Sequence, residues 1–450
     1  MVEDDLDVDF ASKTTMHGVQ RLVEERPRSY KMLWVVIIVA SVGFCSWEVQ
    51  KRISNYFEYN VNTEITVKFS NNLTFPAVTI CNFNRYRLSQ ITEDEFSYLT
   101  CLADNEYKVC KEELKAPFNS SEFTNRAGFD LDANTLWTCN FRHQACGVQN
   151  FTSVVTEYGR CWTFNGDSES AVYQIQPGFG NGLHVVINVD QEDYTEHFGF
   201  GYLSMDAGLR VMVHPQNTPP LVYGSGFAIG TGMHAYTDIS VTKFKNLEEP
   251  WGECKEGQTL EYYDTYSYDN CINECLLKLH VKRCECRPDS LLGPFRICGL
   301  EEKDLKCLNE VFIDITNGEV ECDCAIECND LTYSTKLSYG SIPSYSIAKE
   351  TEEKFNATAA FIKDNVVVMD VYYSYLSTQV FTQTKAMTSS ALLSDIGGQL
   401  GLFVGVSFIT IIEFMEYFTL KFKFFLKSKK GNRSTNKSRN ENGNELNSRT

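Results

Sequence analysis

Two stretches stand out from the mixed apolar and polar pattern of this chain. From Met32 through Trp47 no charge interrupts the run, which lies between Lys31 and Glu48. A helix through it, with its flanks, reaches across a hydrocarbon core of about 30 Å. Trp34 and Trp47 stand near its ends, where indoles favour the headgroup layer. The pattern predicts a membrane helix over residues 31–53. It does not fit a cleaved leader: it starts late, follows an acidic N-terminus and lacks a small-residue cleavage site. The second stretch runs from Leu392 through Phe425, is most apolar over residues 400–412, and predicts a membrane helix over 389–425. Between the two, period-two alternation predicts strands at 65–69, 77–80, 183–189, 209–213 and 366–373. Helical patterning predicts helices near 92–102, 267–280 and 347–362. The expected fold is α+β, with a central sheet between two membrane helices.

Charge sets the expected topology. Cations gather before the first stretch (Lys13, Arg21, Arg26, Arg28, Lys31) and after the second (Lys421, Lys423, Lys427 and beyond). The positive-inside rule therefore makes 1–30 and 426–450 cytoplasmic, the latter a disordered tail. Residues 54–388 become an extracellular domain of a multi-pass plasma-membrane protein. Sequons at Asn72, Asn119, Asn150 and Asn356 agree, since glycosylation requires an external surface. The net charge of −18 argues against a nucleic-acid partner.

Of the 17 cysteines, Cys45 lies in the first stretch and all others in the external segment, where an even number reads as eight bridges. Cys271 and Cys275 fit successive turns of one helix. Cys322, Cys324 and Cys328 would supply facing partners for a ladder. The C-x2-C pairs of a zinc ribbon are missing. The seven histidines are scattered and read as packing or surface. No metal site, cofactor or enzymatic constellation is expected.

Carboxylates persist in the second stretch: Asp395 before its most apolar portion, Glu413 and Glu416 after it. At 100° per residue on one continuous helix, Gly398, Leu402, Val406, Ile409 and Glu413 fall on the face of Asp395. Such a face would line a cation pathway with acidic mouths. Gly397, Gly401 and Gly405 repeat every fourth residue, a spacing that lets helices approach closely.

Together these residues resemble the degenerin and epithelial sodium channel superfamily, most nearly its acid-sensing branch. Met16-His17-Gly18 is similar to the family's cytoplasmic His-Gly motif, which implies a gating role for His17 and Gly18. Residues 75–82 (FPAVTICN), 158–165 (YGRCWTFN) and 180–183 (GNGL) resemble further blocks. The fullest match is 392–407 (LLSDIGGQLGLFVGVS), which ends in the selectivity element Gly405-Val406-Ser407. The resemblance implies a trimer whose ectodomain is divided into palm, ball, finger, thumb and knuckle. It implies the pairs Cys81–Cys161, Cys139–Cys146, Cys254–Cys328, Cys271–Cys324, Cys275–Cys322, Cys284–Cys307 and Cys286–Cys298. Cys101 and Cys110 remain to bridge each other. Tyr59 and Trp251 look like the aromatic link between thumb and pore.

Two departures carry consequences. Val406 stands where the family usually has Ala, which adds bulk at the constriction. Residues 214–220 (HPQNTPP) carry no acidic pair where proton-gated members have one, and Asn60 and Val61 replace the histidines expected after Tyr59. Crowded carboxylates raise each other's pKa, and that sensor is weakened here. The expected function is a ligand-gated, voltage-insensitive, amiloride-sensitive sodium channel, homotrimeric or heterotrimeric, whose partners are sodium, membrane lipid and an extracellular agonist. A proton-gated sodium channel is the alternative, and a non-conducting two-pass receptor or adhesion protein a further one. An ATP-gated trimer is disfavoured by the acidic external segment.

Overall fold

In the computed structural model of the chain, the described residues are 3–103, 118–195, 206–299, 301–346, 348–423 and 426. The chain forms two compact units: residues 1–62 with 385–450, and residues 63–384.

The larger unit is built on two sheets. One has seven strands in the order Asn329–Ser341, Met233–Lys245, Val366–Lys385, Leu183–Asn188, Leu136–Phe141 and Gln144–Ala145, with Val61–Phe69 also paired to Val366–Lys385. Met233–Lys245 runs parallel to Val366–Lys385, whereas Leu183–Asn188 runs antiparallel to it. The second sheet has five strands, in the order Phe227–Gly230, Gly208–His214, Ala77–Asn82, Gly159–Phe164 and Phe151–Thr156. Alternate residues explain the packing. Leu183, Val185 and Ile187 join Val367, Met369 and Val371 on one sheet, with Val78, Ile80, Leu209 and Val211 on the other, in a single buried core. Ala77–Asn82 is buried at every position and has no solvent face.

Beyond the sheets, Tyr268–Cys284 and Glu302–Thr316 are helices. Ser267 caps the first by accepting from the Asn270 backbone N–H. Cys271 and Cys275 project from it to Cys324 and Cys322. Cys254–Cys328, Cys284–Cys307 and Cys286–Cys298 complete the staple, while Cys81–Cys161 and Cys139–Cys146 bind the strands. These seven pairs are the ones the family resemblance implies. Cys101 is disulfide-bonded, and its expected partner Cys110 lies outside the described residues. Cys45 is free and buried.

Two expectations are corrected. The strand beginning at Val366 continues to Lys385, well past residue 373. The helix expected over 347–362 is two, Ala348–Phe355 and Ala359–Asn365. Asn356 takes a left-handed backbone with φ 51°, and Thr358 caps the second helix through the Phe361 N–H.

In the smaller unit, Arg28–Phe57 is one 30-residue helix, wider at both ends than 31–53, with a mean hydropathy of 2.0 over its most apolar window. Most of its apolar side chains, Leu33, Val36, Val39 and Phe44 among them, are exposed. A soluble fold would bury such a surface, whereas lipid covers it without cost.

Candidate functional site

The second apolar stretch is not one helix. Ser389–Phe403 and Phe408–Lys423 meet at 71° across residues 404–407. Thr388 caps the upstream half through the Ala391 N–H. Gly405 then turns the chain with φ +73°, a conformation that costs a residue with a Cβ about 1–2 kcal/mol. Ser407 restarts it: its Oγ accepts from the Thr410 N–H at 3.3 Å, and Thr410 Oγ1 accepts from the Ser407 N–H at 2.9 Å. This reciprocal cap satisfies donors that a new helix leaves open. The break overturns the single helical wheel. The phase between Asp395 and Glu413 is lost across a 71° bend, so they do not share one continuous stripe.

The N-terminal segment packs against the break. The His17 N–H donates to the Val404 carbonyl at 2.9 Å. A Cβ on Gly405 would lie 2.5 to 2.9 Å from three atoms of the His17 ring, so the glycine is needed for contact as well as for φ. Gly18 sits beside Ile38 and Trp34 of the long helix. Glu413 is no open acidic mouth within this chain. Its Oε2 accepts from Thr14 Oγ1 and from the Thr15 N–H, each at 3.1 Å, while Thr15 Oγ1 meets Thr410 Oγ1 at 2.6 Å. Upstream of these threonines, the helix Glu3–Lys13 runs along the downstream half-helix. Phe10 packs on Phe414 and Tyr417, and Asp7 receives hydrogen bonds from Tyr417 and Lys421.

The other expected residues fall as follows. Asp395 lies 3.6 Å from Arg52 of the long helix, a half-exposed pair. Gly398, Leu402, Ile409 and Ser407 are exposed in the single chain, and Val406 is intermediate. A Cβ on Gly397, Gly398 or Gly401 would meet nothing within 4 Å. Tyr59 follows the long helix with φ 53°, and Trp251 lies in a turn of the larger unit. Asn72, Asn119, Asn150 and Asn356 are all exposed. Sequence reasoning missed Thr14, Thr15, Thr410 and Arg52. Of these, Thr410 was findable: Ser407-Phe408-Ile409-Thr410 after a glycine has the spacing of a helix start.

In the larger unit, the stretch that lacks the acidic pair is internally satisfied. His214 is buried, with Nε2 2.8 Å from Thr79 Oγ1 and Nδ1 2.9 Å from the Pro215 carbonyl. Burial pushes its pKa down to about 4, so it stays neutral through the physiological range. Gln216 donates to the Phe75 carbonyl, and Asn217 exchanges hydrogen bonds with Ser168. Elsewhere, partial burial and then the neighbouring Asp330 and Asp269 push Glu327 up to about 7. The structure also gathers two of the histidines expected to be scattered, His184 and His234, beside Asp370.

The profile of a family described as amiloride-sensitive sodium channel matches residues 10–417. The human bile acid-sensitive ion channel is 34% identical over 440 residues, covering 92% of this chain and 86% of that protein. Human acid-sensing ion channel 2 is 32% identical over 436 residues, covering 91% and 85%. Chicken acid-sensing ion channel 1 is 32% identical over 437 residues, covering 91% and 82%.

Proposed function

The chain belongs to the amiloride-sensitive sodium channel family, and from that premise we propose that it is a trimeric, voltage-insensitive sodium channel of the plasma membrane, blocked by amiloride and opened by an extracellular ligand other than the proton. Its family and relatives are ion channels, not enzymes. The observation that carries the reading is the interrupted helix at Gly405-Val406-Ser407, whose restart is capped by Ser407 and Thr410 and whose break is contacted by the chain's own N-terminal segment through His17. A broken apolar helix is stable in a bilayer only where protein or water satisfies the freed backbone groups, which is the situation of a pore lining. Trimer formation is supported by Gly397, Gly398 and Gly401, because among the described residues a Cβ at any of them would meet nothing within 4 Å, and small residues let neighbouring helices approach closely.

In this reading, both termini are cytoplasmic, and sodium passes Asp395, Gly398 and Leu402 before the constriction. Val406 narrows that point relative to the alanine usual in the family. An agonist that binds one arrangement of finger and thumb more tightly shifts the equilibrium toward it. The disulfide-bonded helix Tyr268–Cys284 carries the shift as a rigid body. The roles of Tyr59 and Trp251 as the link to the pore rest on the family resemblance, and the exposed sequons carry glycans.

A ligand other than the proton is favoured by residues 214–217: His214 titrates only near about 4, and Gln216 and Asn217 carry no acid. Glu327, at about 7, favours the second reading, acid gating from a different place. Expression of this chain alone under voltage clamp separates the two. An amiloride-blocked sodium current evoked by bile acids or peptides, with none on a step from about pH 7 to about pH 5, is the expected result. A robust acid-evoked current reverses the choice of stimulus. Silence of the purified, reconstituted protein under every stimulus overturns the channel reading itself.

A further inference from the structure

Two imidazoles, from the strands on either side, converge on one carboxylate oxygen of Asp370. His184 Nδ1 lies 2.9 Å and His234 Nε2 2.6 Å from Asp370 Oδ2. The pairing of the strands dictates this. Asp370 is directly opposite His184 in the antiparallel pair, and its parallel partner is Tyr236, two residues from His234. The adjacent residues Leu183, Val185, Ala235, Met369 and Val371 point into the core, so all three polar side chains share the opposite face. Gly182 permits the close approach, since a Cβ there would lie 2.0 Å from the Val371 carbonyl oxygen.

We propose that His184, His234 and Asp370 form a binding site for a divalent transition metal ion, with zinc as the best fit. Two imidazole nitrogens and one carboxylate oxygen, with water in a fourth position, are a tetrahedral donor set for zinc; calcium and magnesium need more oxygens. The three donor atoms lie within 4.8 Å of one another. Tetrahedral zinc with bonds of about 2.0–2.1 Å needs donors about 3.3 Å apart, a spacing bracketed by the 2.6 and 2.9 Å separations from Asp370 and the 4.8 Å limit on all three donors. Asp370 is 2% exposed, so its carboxylate is screened from bulk water. The imidazoles are reachable, with side-chain exposures of 31% for His184 and 17% for His234. Tyr236 stacks on His234 at 4.1 Å, fixing the ring plane, and Phe179 packs beside it. Tyr236, Tyr372 and Asp238 are further ionisable groups of this neighbourhood. An ion here would tie together three strands, one of which leads at Lys385 into the broken helix.

The site stands on the sheet geometry and not on conduction, so its test is binding. Purified full-length protein is titrated with zinc chloride by calorimetry and with cobalt chloride by visible absorption. The expected result is one zinc per chain and a tetrahedral cobalt spectrum, with no comparable heat from calcium or magnesium. His184→Gln and His234→Gln should each raise the zinc Kd at least about tenfold. His184→Gln alters a partly exposed side chain, and its thermal transition verifies folding. The wild-type cobalt spectrum needs no variant at all. No zinc binding at submillimolar concentration, an octahedral cobalt spectrum, or zinc affinity unchanged in both histidine variants would overturn the proposal.

Discussion

The helix Tyr268–Cys284 and the broken helix around Gly405 are both moving parts in the proposed channel, yet they are held by different physics. The first is bridged at Cys271, Cys275 and Cys284, so its neighbours are fixed by covalent bonds. The second is held by one left-handed glycine, a reciprocal Ser407–Thr410 cap and hydrogen bonds from Thr14, Thr15 and His17. Each such hydrogen bond contributes on the order of 1 kcal/mol net, within reach of a ligand's differential affinity. The difference teaches where motion belongs: covalent staples suit a part that transmits force, and individually weak contacts suit a part that must change state.

The largest effect is expected at the glycine. Gly405→Val meets a left-handed backbone and the His17 ring together, so current normalised to surface protein should fall at least about a hundredfold, from strain of several kcal/mol. Undiminished current would mean that the break does not control conduction. Next, Cys271→Ser with Cys324→Ser should cost about 2–4 kcal/mol of stability, read as a lower thermal midpoint of the purified protein. If that midpoint holds, the staple is redundant and covalent bonds do not set this helix apart from the broken one.

Glu413→Gln keeps the shape but weakens charge-assisted bonds from the threonines. A loss of about 1–2 kcal/mol should shift the agonist concentration for half-activation roughly tenfold. Thr14→Val should shift it in the same direction, and a double-mutant cycle with Glu413→Gln should be non-additive. Additive shifts would assign the two residues separate roles.

The smallest effect is the pH response of Glu327. Its folded pKa of about 7 lies above the ordinary 4.5, so its contribution favours the fold below about 4.5 and is lost as pH rises through about 7. Discounted for partial exposure, that amounts to roughly 1 kcal/mol. Glu327→Gln should flatten the change in thermal midpoint between about pH 5 and about pH 8. An unchanged slope would remove Glu327 as a titrating group, and with it the observation that favours acid gating.

What the linear chain determined is what composition and local periodicity carry. A charge-free run fits lipid wherever it lies, and the long helix Arg28–Phe57 follows from that alone. Alternation reaches the strands around Leu183 and Leu209 because each side chain's face depends only on parity. The cysteine partners were legible through spacing shared with a family; in isolation, their number admits many pairings. Folding in three dimensions decided the rest. Thr14 meets Glu413 from 399 positions away, Arg52 meets Asp395 across two helices, and His184, His234 and Asp370 assemble from three strands. Neither a hydrophobic pattern nor a helical wheel encodes such meetings, because each depends on where separate elements come to rest. The bend at Gly405 lies between these cases: the glycine and its Ser-x-x-Thr cap allow it locally, while the His17 segment packed against it is a tertiary contact.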